Sequence, residues 1–202
     1  RTTLMGEGLQ HQDGHSLLLA STVPACQAYD PAFAYEVSTI IRHGINRMYG
    51  ADPADIYYYV ALYNENLVMP ERPAHVTDDD IINGLYRWRA ADGPSHASLL
   101  FSGTACSAAI EAADMLKQKW GVNVDLWSAT SYKSLRDDAM EVERWNRLHP
   151  TQPARTSLME SILGGETTPV IAVTDFMRIV SEQIAPYVTN RRFLALGTDG
   201  MG

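Results

Sequence analysis

Cysteine is nearly absent from this sequence: its 202 residues contain two, Cys26 and Cys106. Two thiols are too few for a disulfide framework, and their spacing matches no zinc pattern; this usage suits a reducing compartment, so a cytoplasmic protein is expected. Long apolar runs are lacking as well. The longest, Ile56 to Tyr63, is less than half of the roughly 18 residues a membrane span needs, so a soluble chain with no membrane partner is expected. Positive charge is scarce, 16 Lys and Arg against 24 Asp and Glu for a net −8, which argues against a phosphate-binding surface for nucleic acid. The N-terminus has no signal-peptide core, because Glu7, His11, Asp13 and His15 stand where an apolar run would be required. There is no Met at position 1, and the sequence stops on the turn-like Gly197-Thr198-Asp199-Gly200-Met201-Gly202, so a piece of a longer polypeptide is expected. Internal repeats and low-complexity tracts are also missing. What remains is globular composition, 46% hydrophobic and 20% charged, with length for one domain or somewhat more.

The elements alternate. Ser16 to Val23 reads as a short buried strand or a helical turn, stopped by Pro24. Asp30-Pro31 reads as an N-cap and first helical position, with Phe33, Val37, Ile40, Ile41 and Met48 on one face and Gly50 closing the helix. Ile56 to Tyr63 is a strand by its β-branched and aromatic content. Leu67 to Asp80, with two prolines and three successive aspartates, reads as a linker between domains. Strand character follows at 85–89, 97–102, 122–129, 169–174 and 193–196, and helix character at 105–120, 134–146 and 176–184. Strands separated by helices predict an α/β fold, a largely parallel sheet covered on both faces.

The densest polar constellation is Gly6-Glu7-Gly8-Leu9-Gln10-His11-Gln12-Asp13-Gly14-His15. Its glycines permit tight turns and close backbone approach, while its histidines and carboxylates supply acid, base and hydrogen-bonding groups near neutral pH. The same composition also fits a solvated loop. His11-x-Asp13-x-His15 is not a recurrent metal-ligand pattern, so no metal site is expected there. Asn64-Glu65-Asn66 stands where a strand ends, the edge at which α/β ligand sites form, or simply caps it. Gly103-Thr104 reads as a plain strand-to-helix turn, His43, His75, His96 and His149 have no partner at catalytic spacing, Tyr57-Tyr58-Tyr59 reads as sheet packing, and Glu141 to Arg144 as a solvated helical face.

Longer strings carry a resemblance. Arg1-Thr2-Thr3-Leu4 with Gly6-Glu7-Gly8-Leu9-Gln10-His11 and Asp13-Gly14-His15, then Tyr29 to Glu36, Arg47-Met48-Tyr49-Gly50, Asn64-Glu65-Asn66, Glu143 to Pro150 and Leu196 to Gly200, closely resemble the homodimeric pyruvate dehydrogenases. These are thiamine-diphosphate enzymes that open the pyruvate dehydrogenase multienzyme complex. The resemblance implies a transketolase-like α/β fold: residues 1–66 as the second half of a pyrimidine-binding (transketolase central) domain, 67–79 as a linker, and 80–202 as most of a mostly parallel transketolase C-terminal-like domain.

It also implies the reaction: oxidative decarboxylation of pyruvate, with acetyl transfer to the lipoyl group of the dihydrolipoyl acetyltransferase component, toward acetyl-CoA. Thiamine diphosphate and Mg2+ are the implied cofactors, with their main ligands expected in segments upstream; the family's Gly-Asp-Gly to Asn motif and its activating Glu find no match here. His15 matches the histidine after the Asp-Gly step and is expected to hydrogen-bond substrate or intermediate. His11 and Asp13 are expected to line the same entrance or orient His15, and Glu7 to hold the loop, with Asn64 and Glu65 as further support. A non-catalytic structural or dimerisation piece remains the alternative from another class. A preference for 2-oxobutyrate over pyruvate, one methylene apart, stays open.

Overall fold

The computed structural model describes residues 8–63 and 67–200. The first sixty or so form a small βαβ unit. Helix α1 (Ser16–Ser21) leads into strand β1 (Cys26–Tyr29), helix α2 (Ala34–Tyr49) crosses over, and strand β2 (Tyr57–Val60) pairs with β1 in parallel, Cys26 opposite Tyr57 and Tyr29 opposite Val60. The α1 segment, which periodicity left undecided, is therefore helical. Its companion α2 buries Glu36, Thr39, Ile40 and Gly44, while Ile41, expected inside, is 47% exposed. Gly44 lets the Tyr58 ring approach to 3.2 Å of where a Cβ would stand, which brings β2 close against the helix.

The second unit is a five-stranded sheet in the order β3-β5-β4-β6-β7. Its strands are β3 (Tyr86–Arg89), β4 (Ala97–Phe101), β5 (Val124–Ser128), β6 (Val170–Met177) and β7 (Phe193–Thr198). All neighbours run parallel except β3, which is antiparallel to β5. Every residue of β4 and β5 is buried, the signature of a central strand covered on both faces. The covering helices are α3 (Asp78–Asn83), α4 (Ala105–Trp120), α5 (Tyr132–Leu148), α6 (Leu158–Leu163) and α7 (Ile179–Glu182). The predicted 105–120 helix ends where Gly121 turns left-handed at φ 64°, as a C-terminal glycine cap should.

Three readings need correction. Asp78 to Asp80 are not linker: Thr77 caps them, its hydroxyl accepting the Asp80 amide, so the acidic triplet forms the first turn of α3, where it faces the positive end of the helix dipole. Phe176 does not open a helix, because β6 runs on to Met177 and buries Phe176 completely. Asp30 is not an N-cap: residue 33 still has extended dihedrals (φ −122°, ψ 152°), and the capping carboxylate is Glu36, whose Oε2 accepts the amides of Ala32 (2.6 Å) and Phe33 (3.0 Å).

Asp30 instead joins the two units. It stands one residue past β1, 3% exposed. Its amide donates to the Thr130 carbonyl at 2.8 Å, its own carbonyl accepts the Gly103 amide at 3.0 Å, and its carboxylate accepts the Ser102 hydroxyl at 2.7 Å and the Tyr63 phenol. Ser102 Oγ lies 3.2 Å from Thr174 Oγ1, which also accepts the Phe176 amide. Gly103 (φ 50°) is required at this joint, since a Cβ would stand 1.6 Å from the Tyr63 hydroxyl. Apolar packing continues the bond: Leu17, Cys26, Ala28 and Ala61 share one core with Leu100, Leu135 and Phe176. Removing the Asp30 carboxylate takes the acceptor from the buried Ser102 hydroxyl and the half-buried Tyr63 phenol, so Asp30→Ala is expected to cost about 3 kcal/mol, at roughly 1–3 kcal/mol per weakened or unsatisfied group. Denaturant titration is the check; a loss of about 1 kcal/mol, the usual worth of an N-cap, would contradict this assignment.

Candidate active site

The loop expected to carry the chemistry lies beside the C-terminal ends of the strands. Leu9–His11 form a single 3-10 turn, with the His11 amide donating to the Gly8 carbonyl at 3.0 Å, and Gly8 takes φ 92° to make it. The chain then reaches Gly14, whose carbonyl accepts the Met177 amide at 2.8 Å from the last residue of β6. Ligands of open α/β sheets bind at this edge.

Asp13 is a structural acceptor. Its Oδ1 takes the amides of His15 (3.1 Å) and Ser16 (3.0 Å), and its Oδ2 takes the Ser16 hydroxyl. Partial burial pushes the carboxyl up, but these three hydrogen bonds outweigh it and hold Asp13 below its ordinary value, so it stays ionised. These bonds hold the backbone on which His15 stands. His11 and His15 are both exposed, as residues that meet a ligand from outside the chain would be. Glu7, Asn64 and Glu65 lie outside the described residues.

The histidines set aside have packing roles. His149 stacks on Trp145 at 4.5 Å between ring centroids, His75 Nε2 lies 2.8 Å from the Arg87 carbonyl, His96 Nδ1 accepts the Asn123 amide at 3.1 Å, and His43 meets the Tyr58 ring edge-on. Tyr58 stacks on Tyr29, which supports the packing role of the tyrosine run. An apolar groove of about 230 Å³, lined by Pro31, Phe33, Val37, Leu62, Tyr63 and Met69 among others, opens past β1 and β2; His11, Asp13 and His15, the expected site residues among those described, do not line it.

Sequence reasoning missed the roles of two deeply buried carboxyls. Besides Asp30 there is Glu36, fully buried, whose Oε1 accepts Tyr86 (2.5 Å) and Ser128 (2.6 Å) from β3 and β5 while its Oε2 holds the two amides before α2. Tyr86 in turn lies 2.7 Å from the Tyr35 hydroxyl. Buried Arg191 was missed as well; it donates to the Thr168 and Leu163 carbonyls and to Ser98, tying β7 to the opposite end of the sheet. Asp30 and Glu36 stand within the Tyr29 to Glu36 string that carries the resemblance, but only the tertiary contacts show what their carboxyls do, and Arg191 belongs to no string read from the sequence.

Among the described residues no three His, Cys, Asp or Glu side chains gather to hold an ion. A magnesium-bridged diphosphate takes its protein oxygens from donors gathered in one place, and the described residues offer no such gathering, so they do not fit that group. No described helix is long and apolar enough to cross a membrane.

Residues 1–70 match the family described as the pyruvate dehydrogenase E1 component middle domain, and residues 84–202 match the transketolase-like TK C-terminal domain. The chain belongs to the transketolase-like family, whose C-terminal domain model spans more than half of it. Pyruvate dehydrogenase E1 components of Pseudomonas aeruginosa and Mycobacterium tuberculosis are each 47% identical over the whole chain, which spans 23% and 22% of them; that of Escherichia coli is 41% identical, with 22% spanned. The chain thus covers less than a quarter of the length of these relatives. In fold it is similar to the transketolases of Leishmania mexicana (TM-score 0.62, 17% identical) and Campylobacter jejuni (0.63, 18%); each match covers 97% of this chain and about a quarter of the other. The expected transketolase-like α/β fold is therefore observed.

Burial raises the Glu36 carboxyl above its ordinary value of 4.5, and the hydrogen bonds from Ser128, Tyr86, Phe33 and Ala32 offset only part of this. The folded protein then holds a proton that the unfolded chain releases above pH 4.5. Stability from Glu36 is complete below that value and lost as pH rises through the raised folded pKa. Glu36→Gln cannot titrate, so the stability difference between wild type and variant is expected to shrink from pH 4.5 to pH 8 in parallel denaturation curves. A constant or widening difference would show Glu36 ionised throughout.

Proposed function

We propose that this chain is the part of a pyruvate dehydrogenase E1 component that carries the histidine-bearing wall of its active site. In a polypeptide of the relatives' length the reaction is oxidative decarboxylation of pyruvate, followed by acetylation of the lipoyl group of dihydrolipoyl acetyltransferase, which leads to acetyl-CoA. The single observation that carries this reading is identity of 41–47% over every residue of the chain to proteins of that name. Thiamine diphosphate would supply the electron sink for decarboxylation; it and Mg2+ would be held chiefly by residues outside those described here. Homodimers acting in the cytoplasm, as part of the multienzyme complex, complete the proposal.

Within this reading the chain's own residues have distinct tasks. His15, exposed at the edge of β6, donates or accepts a hydrogen bond at the substrate oxygen, and His11 lines the same approach. Asp13 holds the turn that presents His15. A division into two units is supported by the two family matches, which leave 71–83 between them, with the linker ending before α3 (Asp78–Asn83).

A positioned histidine contributes about 10²–10⁴-fold in proton transfer, so His15→Ala in the full-length enzyme is expected to lower turnover at least ~10²-fold with the fold intact. Steady-state kinetics on pyruvate, beside circular dichroism, provide the check. Turnover within twofold of wild type would remove His15 from the chemistry.

A further inference from the structure

His15 stands on a backbone pinned from three directions. On its N-terminal side the Gly14 carbonyl is held by the Met177 amide of β6 at 2.8 Å. At His15 itself the amide is held by Asp13 Oδ1 at 3.1 Å, and at Ser16 the next amide is held by the same oxygen at 3.0 Å. Ser16 then links this turn to the middle of the βαβ unit: its hydroxyl donates to Asp13 Oδ2 and accepts the phenol of Tyr59 at 2.9 Å, from a residue 43 positions away on β2. The imidazole between these fixed points remains exposed.

We propose that Tyr59 and Ser16 are positioning residues for His15, a hydrogen-bonded strut from β2 through the Ser16 hydroxyl to the Asp13 carboxylate. This inference rests on the reading of His15 given above and extends it to two residues that no sequence motif singles out. Each hydroxyl has one proton, and both point the same way: Tyr59 to Ser16, Ser16 to Asp13. The series ends on a carboxylate that needs no proton and already accepts the His15 amide, so the donors reinforce one another. Ser16 and Tyr59 are both half-buried, so water replaces either hydroxyl only in part. If the strut is lost, the turn keeps its Asp13–amide bonds but loses its tie to the sheet, and His15 swings with it. A displacement of about 1 Å at a reacting group can cost ~10²-fold in rate.

The test uses the full-length enzyme and four variants: Ser16→Ala, Tyr59→Phe, Ser16→Thr and His15→Ala, with Ser16→Ala also combined with His15→Ala. Ser16→Ala is expected to lower kcat about tenfold with little change in KM, Tyr59→Phe several-fold in the same direction, and Ser16→Thr, which keeps the hydroxyl, to restore most of the rate. In the His15→Ala background Ser16→Ala should cost nothing further, since a residue that acts only through another shows complete non-additivity. Hydrogen exchange read on the peptide spanning 13–16 gives a readout free of activity, and Tyr59→Phe should accelerate it at least ~10-fold by loosening the turn. Losses that multiply in the double variant, wild-type kcat in Ser16→Ala beside an impaired His15→Ala, or unchanged exchange in Tyr59→Phe would each overturn the proposal alone. Wild-type turnover in His15→Ala would instead overturn the functional reading, and the proposal with it.

Discussion

The structure depends on a carboxylate placed where an α/β sheet would ordinarily receive its ligand. From the central strand β4 the chain connects outward to β5 on one side, and β6 connects onward to β7 on the other, so the crevice of this sheet opens between the ends of β4 and β6. Ser102 and Thr174 face each other there, and Asp30 from the first unit fills the gap with its carboxylate, amide and carbonyl all engaged. The crevice is thereby converted from a binding site into a joint. A two-stranded parallel sheet has little stability of its own; β1 and β2 persist because their ends are bonded into the larger sheet and their inner faces share its core.

That joint also sets where the histidine loop lies. With the switch-point crevice sealed, the accessible edge moves to the end of β6, and there the Gly14 carbonyl docks on Met177 and brings the histidine loop with it. Three carboxyls, each held by hydrogen bonds, serve this arrangement in different ways. Asp30 fuses the units, Glu36 is driven toward its neutral form by complete burial while it braces α2 against β3 and β5, and Asp13, half-exposed, is kept charged by the amides and hydroxyl it accepts. None of the three is free to act on a substrate. The imidazoles of His11 and His15, by contrast, stand exposed on the loop that Asp13 holds.

Much of this was legible in advance, and the failures have physical causes. The helix at 105–120 was readable because its apolar period is strong and Gly121 ends it; the strands at 97–102 and 193–196 were readable from short apolar runs between turns. Asp30-Pro31 misled because an aspartate before a proline is a good local cap, and only the approach of Ser102, 72 positions on, shows a better use for its carboxylate. Phe176 misled because a strand buried on alternate residues from 170 to 177 looks helical once its polar residues, Thr174 and Asp175, break the apolar run. The histidine loop was visible as composition, whereas its supports Ser16, Tyr59 and Met177 were not, since nothing in the local sequence marks a residue whose partner lies tens or hundreds of positions away.

The central claim is that this chain supplies the histidine wall and the joint behind it, while the cation and diphosphate of the cofactor are held by other donors. Calorimetric titration of the 202-residue chain with thiamine diphosphate and Mg2+, run beside an assay for carbon dioxide release from pyruvate, tests it most directly. The net charge of −8 works against a diphosphate, and the carboxyls of Asp13, Asp30 and Glu36 are already engaged in the fold. No saturable binding and no decarboxylation are expected. Micromolar affinity accompanied by turnover would contradict the account and place the cofactor site within these residues.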